Sequence, residues 1–293
     1  MTPAEIVDQA PASDWRAIAP ADLLVMTLAP DRDGNSREVV IQLLPPPFSA
    51  GWVENVRLLA KARWWDGTSV YRVVDNWVAQ WGDADETKPL PAGLRAVPES
   101  EYVTRIEEGP QDGRDYVLTP AREEVVVSRW IDSYTITAFV AGWPIGLDDA
   151  GGRTGWPAHC YGTVGVARGP SPDTGTGAAL YAVIGHAPRA LDRNMAVVGR
   201  VIEGIEHLAT LPRGKGEAGV YDDPALRAPI ERIVPGDRLA EAAQPRFEYL
   251  ATDSESFARY LHVRANRRDD FYIAPAEGVD LCNAPVPVRR VAG

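Results

Sequence analysis

With 293 residues the chain is long enough for one large domain or two modest ones. Its 45% hydrophobic and 24% charged content is that of an ordinary globular protein, and no apolar run is long enough to span a bilayer. A net charge of −11 argues against nucleic acid, or an anionic membrane surface, as a partner, because both reward basic groups.

The opening stretch, MTPAEIVDQAPASDW, lacks the basic start and apolar core of a signal peptide and resembles the residues that follow a cleavage site. Export to the periplasm or beyond is the expectation, with a cytoplasmic protein as the alternative. Residues 23–28 and 38–43 are runs rich in Val, Ile and Leu around the turn-forming APDRDGNSR, and they read as a β-hairpin. Asp31 and Asp33 lie beside Gly34 but lack the rest of a calcium loop's spacing, so turn chemistry explains them. After three prolines, Val53, Val56, Leu59 and Ala60 share one face of a helix, with Glu54, Arg57 and Lys61 on others. Residues 64–83, WWDGTSVYRVVDNWVAQWGD, then hold two strand-like pieces between Asp-Gly and Asp-Asn turns.

Residues 84–158 are rich in Pro, Gly and Glu, with strand-like pieces at 123–128 and 134–140. Low apolar content makes this an insertion rather than a separate domain. Short strands resume at 162–167, 180–184 and 196–201, followed by a helical stretch at 204–211 and a last strand near 230–234. Many short strands separated by turns favour a mainly β fold, a closed antiparallel barrel with two helices at its ends. The division expected is an extension over 1–20, a barrel over 21–237 with its insertion, and an extension over 238–293 that packs on the barrel. In that last extension Asp253-Ser254 caps a helix through Arg267, and 271–273 reads as a short strand. Nine tryptophans are many, and Trp15, Trp52, Trp64 and Trp65 are expected to pack extensions onto the barrel.

The chemistry concentrates in the 64–83 segment. Arg72 and Gln80 sit on neighbouring strands with Trp77 and Val78 between them, a cationic fork beside an apolar floor. Such a fork grips a backbone carbonyl. Other motifs are poorer. Asp173-Thr174-Gly175 follows a proline loop and has no second copy to complete a carboxylate dyad. His159, His186, His207 and His262 show no metal spacing. Cys160 and Cys282 are either two buried thiols or one disulfide, the latter implying an oxidising compartment.

The segment resembles the cyclophilin-type peptidyl-prolyl isomerases, whose run is aromatic-His-Arg, two apolar residues, an apolar pair, Gln and Gly-Asp. Three later pieces resemble the same family: GTVGVARG its Gly-x-apolar-Ser-Met-Ala-Asn strand, TGTGAALYAV its Gly-Ser-Gln-Phe-Phe-Ile strand, and LDRNMAVVGRVIEG its Leu-Asp-Gly run. The resemblance implies an eight-stranded barrel and an isomerase acting on Xaa-Pro bonds of proline-containing polypeptides in folding, without metal or organic cofactor. It implies Arg72 as the catalytic guanidinium and Gln80 as the catalytic partner that positions it and contacts substrate. It further implies Tyr71 as a substrate-binding residue beside Arg72; Trp77, Val78, Tyr181 and Leu191 as the proline pocket; and Arg168 as a substrate-binding position whose backbone pairs with the peptide. Tyr71 replaces the usual His, Ala179 a Gln, Ala190 a Trp and Met195 a His. These losses at the rim motivate an alternative, a catalytically weak module that binds a peptide or protein.

Overall fold

A computed structural model describes residues 1–105, 129–148 and 154–291, with only the backbone of 129–131. The strand expected at 123–128 lies outside the described residues. The chain divides into two compact units, one of residues 19–103 and 159–245, the other of residues 1–18, 104–158 and 246–293.

The first unit is a closed antiparallel barrel of eight strands. Around the barrel they run Thr163–Val166, Leu180–Val183, Val78–Gly82, Ser69–Val73, Ala228–Pro235, Leu23–Leu28, Arg37–Leu43 and Val197–Glu203, which returns to the first. Leu23–Leu28 and Arg37–Leu43 form the hairpin expected from sequence, with Leu28 opposite Arg37. Closure leaves no edge strand, so every ladder is paired within the unit. Helix Ala50–Lys61 buries Val53, Val56, Leu59 and Ala60, the four residues of the apolar face. A second, short helix spans Glu206–Ala209. Two buried tryptophans join this unit's own parts: Trp52 donates its indole N–H to the Thr174 carbonyl (3.0 Å), and Trp65 donates to Ala178 (2.8 Å). They do not fasten extensions, as the sequence suggested. Their buried N–H groups need acceptors, and the loop 174–178 supplies them.

The second unit gathers the ends of the chain and most of the insertion. It holds a three-stranded sheet (Trp15–Ile18, Phe247–Leu250, Val288–Arg290) and a five-stranded sheet whose described strands run from Thr104 to Pro157. Its core includes Trp15, Phe139, Trp143, Ile145, Trp156, Phe257 and Tyr260, with Phe139 set edge-on to Phe257. The insertion therefore does not stand alone: residues 84–103 group with the barrel and 104–158 with the second unit. Each of three distant pieces is too poor in apolar residues for a core, and together they make one. Ser254 caps helix Glu255–Asn266 through the Phe257 N–H, as its sequence indicates. Residues 271–273 are not a strand; Phe271 and Ile273 are each 81% exposed. Cys160 and Cys282 are both disulfide-bonded.

Candidate active site

Two neighbouring hairpin strands build the cationic fork. Ser69–Val73 pairs with Val78–Gly82 through a register shift between Val70 and Arg72. Consecutive strand residues ordinarily face opposite ways, and a bulge suspends that rule. Tyr71 and Arg72 consequently both reach Gln80. Arg72 Nη1 donates to Gln80 Oε1 at 2.8 Å, and Gln80 Nε2 donates to the Tyr71 hydroxyl at 2.6 Å. Arg72 Nε donates to the Ala218 carbonyl at 2.6 Å. Ala218 has φ +52°, a left-handed conformation costly for a residue with a Cβ, within a turn held by bonds from Gly214 N to Val73 O and from Tyr221 N to Tyr71 O.

These bonds fix the guanidinium plane and leave the second Nη1 hydrogen and both Nη2 hydrogens uncommitted. Among the described residues no carboxylate pairs with Arg72. Its half-burial lowers its pKa, with the neighbouring Tyr71 opposing the shift. Burial raises the pKa of Tyr71, partly offset by its bond from Gln80.

The apolar floor lies one strand further on. Gln80 is opposite Tyr181, and Val78 is opposite Val183. Residues directly opposite in a ladder share a face, so Arg72, Gln80 and Tyr181 stand in a row across three strands. Val78, Tyr181 and Val183 form a buried cluster against which Trp77, Ala167, Leu191 and Met195 pack. All four residues expected in the proline pocket are in that cluster. Met195, noted in the sequence only as a departure, extends the apolar wall.

Beneath the floor is a hydrogen-bonded chain that sequence reading missed. The Tyr181 hydroxyl lies 2.8 Å from His159 Nε2, and His159 Nδ1 lies 3.0 Å from Asp192 Oδ1. Asp192 also accepts from the His159 backbone N–H (2.9 Å) and, through Oδ2, from Arg189 Nε (2.6 Å). His159, Arg189 and Asp192 are all buried. Burial strongly raises the Tyr181 pKa, and the Asp192 charge adds to it. For Asp192 burial pushes upward, but the bond from His159 and the charges of His159 and Arg189 hold its carboxyl below the ordinary value. Two departures from the resemblance signal this chain: Tyr181 stands where the family has Phe, and Gly165 where it has Ser. The two are direct ladder partners, and a Cβ on Gly165 would fall 2.3 Å from the Tyr181 hydroxyl oxygen. The glycine makes room for the hydroxyl and the ring carbons next to it.

The Arg168 guanidinium is bonded to two backbone carbonyls. Its Nε and Nη2 donate to the Asn194 carbonyl (3.1 and 2.9 Å), and its Nη1 to the Gly169 carbonyl (2.8 Å). The guanidinium ties the pocket rim at 168 to the rim at 194. A groove of mixed character continues past Tyr71 and Gln80, lined also by Trp64, Asp83, Lys88, Leu90, Arg168 and Ala179, with a volume of about 430 Å³. Asp83 is occupied by the backbone N–H groups of Thr87 and Lys88, both at 2.6 Å.

A family model described as cyclophilin type peptidyl-prolyl cis-trans isomerase/CLD matches residues 40–234, well over half of the chain. Among solved structures, cyclophilin AquaCyp293 from Hirschia baltica is similar, with a TM-score of 0.67 at 24% identity, over 94% of this chain and 93% of that one. A cyclophilin type peptidyl-prolyl cis-trans isomerase of Cryptosporidium parvum, crystallised in the presence of the dipeptide Ala-Pro, matches with a TM-score of 0.38 at 12% identity, over 73% of this chain and 97% of that one. No curated protein matches the chain.

Proposed function

Since the chain belongs to the cyclophilin-type peptidyl-prolyl cis-trans isomerase family, we propose that its isomerase activity resides in the Arg72 fork and the pocket around Tyr181. The protein is a peptidyl-prolyl isomerase acting on proline-containing polypeptides. The reaction breaks no bond. Rotation about the prolyl amide meets a barrier of ~18–20 kcal/mol because conjugation stiffens C–N. A catalyst must favour the twisted amide, whose nitrogen is pyramidal, over both planar isomers.

In this reading Trp77, Val78, Tyr181, Leu191 and Met195 hold the pyrrolidine ring while the preceding residue turns. Arg72 binds the proline's own carbonyl oxygen, which stays in place while the preceding residue turns, and points a second N–H toward the proline nitrogen, whose lone pair appears as conjugation is lost. A charge-assisted donor in a half-dry site is effective there, and each ~1.4 kcal/mol of preferential stabilisation gives tenfold in rate. Gln80 is a positioning residue, because it holds one Nη1 hydrogen and leaves the others for substrate. Tyr71 in turn fixes the Gln80 amide. The observation that carries the proposal is the row of Arg72, Gln80 and Tyr181 on one face, with the 2.8 Å bond joining the first two.

A protease-coupled assay on an Xaa-Pro peptide tests it. Arg72→Ala is expected to lower kcat/KM at least tenfold with the barrel still folded. An unchanged rate removes Arg72 from the mechanism. We further propose assistance to folding outside the cytoplasm, a reading supported by two disulfide-bonded cysteines. Mass spectrometry of protein from native cells, alkylated without reductant, would find no free thiol; two alkylated cysteines would refute export.

A further inference from the structure

A second cavity in the barrel unit has no part in the isomerase site. It lies at the C-terminal end of helix Ala50–Lys61, beside strand Ala228–Pro235, and its volume is about 380 Å³. Ala60, Val234, Pro235 and Leu239 give it an apolar wall, and four cations complete it: Lys61, Arg63, Arg232 and Arg238. No carboxylate is among the described residues that line it. This is unexpected in a chain with 41 acidic and 30 basic residues.

Local pairing does not account for the charge. Arg63 is matched by Asp66 at 2.6 Å. Arg232 Nε donates only to the Thr27 hydroxyl, at 3.2 Å. Lys61 and Arg238 have neither an ion pair nor a hydrogen bond among the described residues. The helix C-terminus offsets about half a charge, through its unsatisfied carbonyls. Three unmatched cations therefore face one concavity. Like charges so held repel one another and destabilise the fold unless an anion joins them.

We propose that this cavity binds a small organic anion carrying two or more negative charges, a phosphate ester or a dicarboxylate. Its size suits a small ligand. The apolar wall gives such a ligand's carbon skeleton a surface to lie on. Arginine forks match phosphate and carboxylate oxygens in pairs, and lysine adds a movable point charge. A long polyanion is disfavoured, because the net charge of −11 repels whatever extends beyond the cavity.

Calorimetric titration of the full chain tests the site, with inorganic pyrophosphate and succinate as separate probes in buffer matched for ionic strength with sodium chloride. At least one probe is expected to bind saturably with 1:1 stoichiometry. The Lys61→Gln/Arg238→Gln double variant is expected to weaken that binding at least tenfold while leaving Xaa-Pro isomerisation unchanged. Both side chains are exposed and unpaired, so the double variant folds. Pyrophosphate alone would assign phosphate esters, succinate alone dicarboxylates, and both the shared anion chemistry. Absence of saturable heat with either probe would overturn the proposal, as would equal affinity in the double variant. Either failure leaves the isomerase reading untouched, since that is read from Arg72.

Discussion

The site contains two hydrogen-bonded chains, each including an arginine, and they differ in what their arginine has left to give. In the deep chain Arg189 meets a carboxylate, and Asp192, His159 and Tyr181 follow in a buried line. In the shallow chain Arg72 is half-buried and, among the described residues, meets only neutral acceptors, Gln80 and the Ala218 carbonyl. A cation bonded to a buried carboxylate is spent on holding structure. A cation oriented by neutral partners keeps its charge and its spare donors for a substrate. In the proposed reading the same residue type serves as scaffold below the pocket and as catalyst at its rim. Perturbing the deep chain should move stability first, and perturbing the shallow chain should move turnover first.

The largest effect belongs to Asp192→Ala. It removes the buried carboxylate bonded by both His159 and Arg189, and such losses cost about 3–5 kcal/mol. Chemical denaturation should show that loss, and a change below about 1 kcal/mol would mean the deep chain is not structural. Next comes Gly165→Ser, which forces a side chain onto the Tyr181 hydroxyl and should cost about 1–3 kcal/mol by overpacking. In a Tyr181→Ala background, which removes the ring end that a Cβ would meet, the same change should cost clearly less, so the two substitutions should fail to add. Additive costs in a double-mutant cycle would separate the two positions. Gln80→Leu is the shallow counterpart. It removes the partner of both Arg72 and Tyr71, and kcat/KM should fall about tenfold, or ~1.4 kcal/mol. Its melting temperature should stay near the parent's; a large drop with unchanged turnover would reverse the roles assigned to the two chains.

The smallest effect is with pH. The Asp192 carboxyl has a lower pKa folded than unfolded, so its stabilisation is complete above the unfolded value of ~3.9. It fades as pH falls from there through the depressed folded value. An acid titration of stability should therefore be steeper in the parent than in Asp192→Asn over that window. Identical slopes would count against the charge on Asp192.

Much of this was legible in the sequence, and the reasons are local. The barrel follows from short β-branched runs with turn residues between them, and helix Ala50–Lys61 from its single apolar face. Arg72, Gln80, Trp77, Val78, Tyr181 and Leu191 were singled out by the family resemblance, and ladder pairing sets Arg72, Gln80 and Tyr181 side by side. His159 and Arg189 were not found, because their role exists only in three dimensions: a lone histidine carries no spacing signal. The paired change of Gly165 and Tyr181 was the available hint, and it needed the register to be read. The second unit was illegible for a different reason. Its core is assembled from three separated pieces, none of which has enough apolar residues to announce a domain.

The most direct test of the central claim, that orientation of the guanidinium matters beyond its charge, is Arg72→Lys in the protease-coupled assay. Lysine keeps the positive charge but has no planar fork to be held by Gln80 and Ala218 while still presenting donors. The account predicts a fall in kcat/KM of at least tenfold, close to that of Arg72→Ala, with circular dichroism and melting temperature unchanged. A lysine variant that retains most of the parent's turnover would contradict it.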